Sequence, residues 1–252
     1  MIKMSKNDKE NLKNGNSRKK ILVPASKLPA VGRPKKIADF RETAQWRIFR
    51  IMSEFVDGFQ FLADIKKSVT FFGSARTAPE DYHYIEAEKL AGLLAKAGYS
   101  IVTGGGPGIM EAANKGASEA GGESIGFNIQ LPEEQRVNSY VKKGIGFYYF
   151  FSRKLMLSYS AQSYVFFPGG FGTLDEFFEL TTLIQTKKIS KKIAIIAVGK
   201  DFWQPLFDHI EKVIYEKYHA IDKEDMKIYH LVDSAEEAFK IIKKSKPREI
   251  II

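Results

Sequence analysis

A carboxylate, a guanidinium and two glycine turns are the parts of this chain whose types and spacing could do chemistry. Glu176 ends the stretch Pro168-Gly169-Gly170-Phe171-Gly172-Thr173-Leu174-Asp175-Glu176. That stretch follows the apolar run Tyr164-Val165-Phe166-Phe167 and precedes an apolar pattern from Phe177 to Ile184. A strand, a glycine turn and a helix start are therefore predicted to meet there. Gly169, Gly170 and Gly172 let backbone approach an anion closely, and the unpaired N–H groups of the helix start point at it. Thr173 has the side chain of an N-cap, and Glu176 follows it at capping-box spacing. Glu176 thus has two readings. It is half of a capping box, or it is a carboxylate about one helical turn from a bound phosphate, where a sugar ring would lie.

A second glycine turn, Gly104-Gly105-Gly106-Pro107-Gly108, follows the apolar run Tyr99-Ser100-Ile101-Val102-Thr103 and opens a helical pattern that reaches Ala120. It is neither the dinucleotide fingerprint nor a P-loop, since both spacings differ. Two such turns, each at the C-terminal end of a predicted strand, fit the rule that open α/β sheets bind ligands there. Gly105, Gly106 and Gly108 are accordingly expected beside the ligand. Arg153-Lys154 precedes the strand that feeds the main turn. Neighbouring helical positions do not share a face, so one of the pair is expected in the cleft. Arg153 is the better candidate, because its planar fork suits a phosphate or carboxylate. Ser74 and Arg76 follow the first predicted strand, where a phosphate or ribose hydroxyl could be met; both also suit an ordinary turn.

Composition narrows the classes. There is no cysteine, hence no disulfide, thiolate metal site or cysteine nucleophile, which fits a cytoplasmic protein. Four histidines, His83, His209, His219 and His230, show no metal-ligand spacing, so no metal is expected. No Gly-x-Ser-x-Gly elbow supports a serine triad. No window approaches an apolar membrane span, and the lysine- and asparagine-rich start lacks the apolar core of a secretory signal. The net charge of +9 is concentrated at one end. Residues 1–40 hold 11 basic and 3 acidic residues, a net +8, while the remaining 212 hold 28 and 27, a net +1. Residues 1–38 read as a basic, mostly disordered arm. Gly32-Arg33-Pro34 could enter a minor groove, but a solvated tail is the preferred reading over a nucleic-acid binder.

Residues 39–252 read as one Rossmann-like α/β domain with an N-terminal helix. Strands alternate with helices, which implies a mostly parallel sheet with helices on both faces. Trp46, Phe49, Met52, Phe55, Phe59 and Leu62 recur at near-helical spacing, so this helix is expected to lay its stripe on the domain or on another subunit. Strands are expected at Val69–Phe72, Tyr99–Thr103, Ser124–Phe127, Phe147–Phe150, Ser163–Phe167 and Ile193–Val198. Helices are expected at Glu80–Ala97, Gly108–Ala120, Ser152–Ser160, Phe202–Lys217 and Ala235–Lys244. The polar loop Leu131 to Arg136 is long enough to line a cleft.

GGGPGIMEA, FSRKLM and PGGFGTLDE followed by Gln185-Thr186 together resemble the Lonely Guy phosphoribohydrolases, once labelled lysine decarboxylases. The resemblance runs from about Val69 to Val232. The first motif departs from the plant form GGGxxGLMG at Pro107 and Ile109-Met110-Glu111 and resembles that of the longer bacterial members. The resemblance implies a Rossmann-like enzyme, a dimer or a larger assembly of dimers. Its implied reaction cleaves the N-glycosidic bond of a nucleoside 5′-monophosphate, AMP or a cytokinin nucleotide, to free base and ribose 5-phosphate, without a cofactor. It further implies Arg153 and Glu176 as catalytic, with Lys154, Thr181 and the span Gly169, Gly170, Phe171, Gly172, Thr173, Leu174 and Asp175 binding substrate. Two rivals remain. One is a carrier of a nucleotide or phosphate-bearing cofactor on the same fold, as molybdenum-cofactor carriers are. The other is the decarboxylase label, which lacks the histidine-lysine pair common in pyridoxal enzymes.

Overall fold

Short apolar runs separated by amphipathic helices leave each strand pairing with another strand of the same direction, because a helical crossover returns the chain to the end it left. A computed structural model of the chain describes residues 43–129, 137–190 and 192–245. The arm, residues 39–42 and the loop 131–136 lie outside the described residues. The elements run α1 (Ala44–Ala63), β1 (Ser68–Phe72), α2 (Tyr82–Lys96), β2 (Ser100–Thr103), α3 (Ile109–Glu119), β3 (Ser124–Ile129) and β4 (Lys143–Phe147). They continue as α4 (Phe150–Ser158), β5 (Ser163–Phe166), α5 (Phe171–Gln185), β6 (Ala194–Val198), α6 (Lys200–His209), a π-helix (Ile210–Lys217), a 3-10 turn (Lys223–Lys227), β7 (Tyr229–Val232) and α7 (Ala235–Ile242).

All seven strands pair in parallel, in the order β4-β3-β2-β1-β5-β6-β7. The chain winds outward from β1 to β4, then crosses back to the other side of β1 with β5. The strand order therefore reverses between β1 and β5, and a crevice opens at their C-terminal ends. This is the expected Rossmann-like α/β fold.

Alternate strand residues face opposite sides, and both sides are covered. Phe72, Phe127, Tyr164, Phe166 and Ile195 face a layer that includes Met156 of α4, Phe177 and Leu180 of α5, and Trp203 and Phe207 of α6. Val69, Phe71, Ile101, Val165 and Ile196 face α2, α3 and α7 through Leu90, Leu94, Ala113 and Ala238. An aromatic cluster of Phe166, Phe177, Trp203, Phe207 and Tyr229 pins α5 to the sheet. That clamp matters because α5 carries Glu176.

Several expected bounds change. Phe147 ends β4 rather than beginning a strand, and Phe150 already belongs to α4. The single helix expected from Phe202 to Lys217 is α6 followed by a π-helix. β7 alternates half-buried and exposed residues at the sheet edge, so it lacks the continuous apolar run that marks the inner strands. The stripe on α1 also divides. Phe55 and Phe61 pack on the core, and Gly58 and Leu62 are buried, with Gly58 so close to Met156 that a Cβ would overlap its side chain. Phe49, Met52, Val56 and Phe59 on the adjoining face are exposed.

Candidate active site

The main glycine turn leaves β5 at the crevice, and the Ser74 N–H, just past β1, donates to the Pro168 carbonyl across it at 3.0 Å. Ser74 is therefore a strut joining the two strands at the point where strand order reverses. Gly169 is required by packing, since a Cβ would overlap Thr173 and stand 3.1 Å from the Ser74 nitrogen. Gly170 and Gly172 have open space where a Cβ would be. The helix α5 begins at Phe171, earlier in the turn than the capping-box reading requires. Its N-cap is Gly170, which offers no side-chain bond, and Thr173 is the third helical residue, buried at 7% exposure. The Thr173–Glu176 capping box is thereby corrected: Thr173 lies inside the helix, and Glu176 is its sixth residue. The N–H groups of Phe171, Gly172 and Thr173, with no turn before them to bond to, form an uncapped start of the kind that holds anions. The Phe171 ring stands beside it at 93% exposure.

The other glycine turn behaves differently. The Gly105 N–H donates to Thr103 Oγ1 at 2.8 Å, and the Ile109 N–H donates to the Ser74 carbonyl at 3.1 Å. The amides of Gly105 and Ile109 are thus occupied internally. The glycines serve close approach instead. A Cβ on Gly104 would overlap Arg153 Nη2, one on Gly105 would overlap Asn128 Oδ1, and one on Gly108 would overlap the Ser74 carbonyl. Gly105 and Gly108 also have positive φ, 73° and 68°. Gly106 faces Met110, whose Cε would lie 2.8 Å from a Cβ.

Of the neighbouring pair on α4, Arg153 lies against Gly104 while Lys154 reaches the carboxylates of α5. Arg153 Nε donates to the Phe127 carbonyl at the end of β3, 2.8 Å away. Lys154 Nζ bonds Asp175 Oδ2 at 2.6 Å and reaches Glu179 Oε2 at 3.4 Å. Lys154 and Asp175 are therefore partners of each other, holding α4 to α5. Glu54 of α1 caps α4 from outside: it accepts from the Tyr148 N–H at 2.7 Å and from Ser152 Oγ. A carboxylate at that end also favours the helix dipole.

Glu176 is half-buried, and burial pushes its carboxyl up to about 7, against the downward pull of Arg153 and Lys154; Glu179 and Asp175 add smaller upward pushes. Burial pulls Arg153 down, opposed by Glu176. Among the described residues no ion pair joins Arg153 to Glu176, yet each charge acts on the other. A carboxyl near 7 is shared between its two protonation states at neutral pH, which suits proton transfer. Leu174 packs on the core. Thr181 donates to the Phe177 carbonyl, 2.7 Å away, and lines a cavity of about 160 Å³ with Phe178, Gln185, Ile214 and Tyr229. At about 100° per residue, that face of α5 is turned well away from Glu176. Thr181 is thus not brought to the Arg153–Glu176 site within one chain. Arg76 is exposed and is not drawn in either.

Sequence reasoning missed Asn114, Asn138 and Glu54. Asn114 was detectable as one polar residue within the small-residue face Ala112, Ala113, Gly116 and Ala117 of α3. Among the described residues no group of three or more His, Asp or Glu side chains could hold a metal ion. No described helix is long and apolar enough to cross a membrane.

Comparison with known proteins places this architecture. The chain is 26% identical over 157 residues to the probable cytokinin riboside 5′-monophosphate phosphoribohydrolase LOGL5 of Oryza sativa subsp. japonica, covering 61% of this chain and 62% of the rice protein. It thus spans a little over three fifths of that relative's length. Among solved structures, the structural-genomics target TM1055 is 27% identical with a TM-score of 0.54, covering 71% of this chain and 99% of that one. The molybdenum cofactor binding protein of the phototrophic bacterium Rippkaea orientalis, 23% identical, has a TM-score of 0.53 over 71% of this chain and 96% of that one, a likeness of fold. A family model described as "Possible lysine decarboxylase" matches residues 110–242, more than half of the chain, and the chain belongs to that family, the Lonely Guy family.

Proposed function

We propose that the protein hydrolyses the N-glycosidic bond of nucleoside 5′-monophosphates, releasing free base and ribose 5-phosphate. The observation that carries this reading is the placement of Glu176, half-buried opposite Arg153, on the helix whose uncapped start can hold a phosphate. The 5′-phosphate accepts from the N–H groups of residues 171–173, with the ribose lying along the first turns of α5 toward Glu176. Departure of the base builds positive charge on the anomeric carbon and ring oxygen, which the Glu176 carboxylate stabilises. The same carboxylate takes a proton from the attacking water as the C–O bond forms and the C–N bond to the base breaks, and it passes that proton on to the departing base. Arg153 orients Glu176 and contacts the nucleotide. Phosphate binding far from the broken bond then serves to position it. The likeness to the rice relative, a probable cytokinin riboside 5′-monophosphate phosphoribohydrolase, supports this reading.

The experiment is incubation with AMP, adenosine and a panel of other nucleoside monophosphates, following free base and ribose 5-phosphate. AMP or another 5′-monophosphate should be cleaved, with kcat/KM at least about 10²-fold above its nucleoside, since the phosphate contacts are lost in the latter. Equal rates for the two would remove the phosphate anchor. Tight binding of a nucleotide without release of ribose 5-phosphate would favour a carrier instead.

The working unit we propose is a dimer of this chain. α1 is apolar on two faces, and an exposed apolar face beyond the one on the core suits a contact surface. One face lies on the core; the other exposes Phe49 at 63%, Met52 at 56% and Val56 at 64%. Phe59 extends this surface to Tyr159 of α4's C-terminal end, with ring centroids 6.1 Å apart. Such a surface beside the helix bearing Arg153 suits a second copy of the same face. Light scattering should give a dimer, and Val56→Asp should shift it toward monomer with loss of activity. A fully active monomer at assay concentration would refute the assembly.

A further inference from the structure

The first glycine turn is enclosed by a ring of side-chain hydrogen bonds. The Gly105 N–H donates to Thr103 Oγ1 at 2.8 Å, and that hydroxyl donates to Asn114 Oδ1 at 2.6 Å. Asn114 Oδ1 also accepts from Asn138 Nδ2 at 3.0 Å. Asn138 Nδ2 reaches the Gly105 and Gly106 carbonyls at 3.1 and 2.9 Å, and its backbone N–H donates to the Gly105 carbonyl at 2.9 Å. Both polar groups of the Gly105 backbone are thereby occupied.

Asn114 is fully buried, and its amide nitrogen donates to Ser124 Oγ at 2.8 Å and to the Ile125 carbonyl at 3.4 Å. One side chain thus joins the end of β2, through Thr103, to the start of β3. These two strands also supply the seat of Arg153. Gly104, next in chain after Thr103, is the wall against which the Arg153 guanidinium lies, and the Phe127 carbonyl of β3 holds Arg153 Nε.

We infer that Thr103, Asn114 and Asn138 are positioning residues for the reaction: their ring holds residues 104–106 as the wall that aims Arg153 at Glu176. The inference rests on the proposed hydrolysis for its rate effect and on geometry alone for its effect on Arg153. A buried polar ring has few alternative arrangements, because each broken bond leaves an unsatisfied partner. A wall so fixed leaves the guanidinium one position. Without it, the 104–106 backbone relaxes and Arg153 retreats from Glu176.

The test uses Thr103→Val, which keeps shape and removes the hydroxyl, Thr103→Ser, which keeps the hydroxyl, and Asn138→Ala, at a half-buried site that tolerates truncation. Two quantities are read on the full chain. The first is steady-state kinetics on AMP or whichever 5′-monophosphate the wild type cleaves. Thr103→Val and Asn138→Ala should lower kcat by about tenfold or more with KM within about threefold, and Thr103→Ser should stay near wild type. The second is the carbon-13 titration of the Glu176 carboxyl, assigned by its loss in Glu176→Gln. The charged groups facing that carboxyl are Arg153 and Lys154 from α4 and Asp175 and Glu179 from α5. With Arg153 withdrawn, the midpoint should rise in Thr103→Val and Asn138→Ala and stay put in Thr103→Ser. If both damaging variants melt earlier yet keep kcat and the Glu176 midpoint, the ring serves stability alone and the inference is overturned. If the wild type cleaves no nucleotide, the proposed hydrolysis fails, while the carboxyl titration still decides the ring. If Thr103→Val does not fold, Asn138→Ala carries both readouts.

Discussion

Glu176→Gln is expected to lower turnover by roughly 10² or more while nucleotide binding survives. Glutamine keeps the volume and a hydrogen-bonding oxygen but neither holds a negative charge nor takes a proton. The N–H groups at the start of α5 that are proposed to hold the phosphate belong to the backbone and are unaffected. In the wild type, kcat/KM should rise with pH through about 7 as the carboxyl ionises, and the variant's residual rate should lack that limb. Stability should move the other way. A carboxyl at about 7 in the folded chain, against an ordinary value of 4.5, holds its proton more tightly when folded than when unfolded. Its contribution is fully present below pH 4.5 and is lost as pH rises through about 7. At pH 8 the ionised group is thus a liability, worth up to about 3 kcal/mol at roughly 1.4 kcal/mol per unit. Glu176→Gln should therefore raise Tm at pH 8, by roughly 2–4 °C for each kcal/mol relieved, with no gain below pH 5. Near-normal turnover, or an unchanged Tm at pH 8, would return Glu176 to an ordinary helix residue.

Arg153→Ala should lower kcat/KM by about 10² to 10³, the usual cost of removing one preorganised charge from a reaction site. Unlike Glu176→Gln, it should weaken nucleotide binding as well as turnover, since in the proposed reaction the guanidinium contacts the nucleotide and orients Glu176. Removing the cation also takes away the main influence holding the Glu176 carboxyl down, so the rising limb of the pH–rate profile should move to higher pH. Arg153→Lys should be rescued only in part. A lysine lacks the planar fork that bonds the Phe127 carbonyl while lying flat against Gly104. A pH limb that stays in place in Arg153→Ala, measured beside wild type in one buffer series, would show that Arg153 does not act on Glu176.

Much of this architecture was legible because it is local. Largely apolar runs bounded by glycine turns identify β1, β2, β3, β5 and β6, since strands buried on both faces favour apolar side chains on both. β7 escaped because an edge strand buries one face weakly. The break between α6 and the π-helix escaped because the apolar spacing continues across it. The motif PGGFGTLDE identifies the start of α5, yet side-chain type alone places its N-cap wrongly. Thr173 has the right side chain, but Gly169 and Ser74 pack so closely that the helix begins at Phe171 and draws Thr173 inward.

Residue types and their order were enough to indicate a mostly parallel α/β sheet and two glycine turns at strand ends, while the family resemblance singled out Arg153 and Glu176. The sheet and the turns depend on the chain's own periodicity and on chemistry each residue carries alone. Tertiary structure decided what each turn does. It left the amides after Gly170 unbonded at the reversal of strand order, and it spent those of Gly105 and Ile109 on Thr103 and Ser74. It also coupled Lys154 to Asp175, set Arg153 between Gly104 and Phe127, and raised the Glu176 carboxyl by burial. A backbone polar group bonds whichever partner comes within reach, and which partner arrives is settled by residues far along the chain, as Asn138 reaches Gly105 and Glu54 reaches Tyr148.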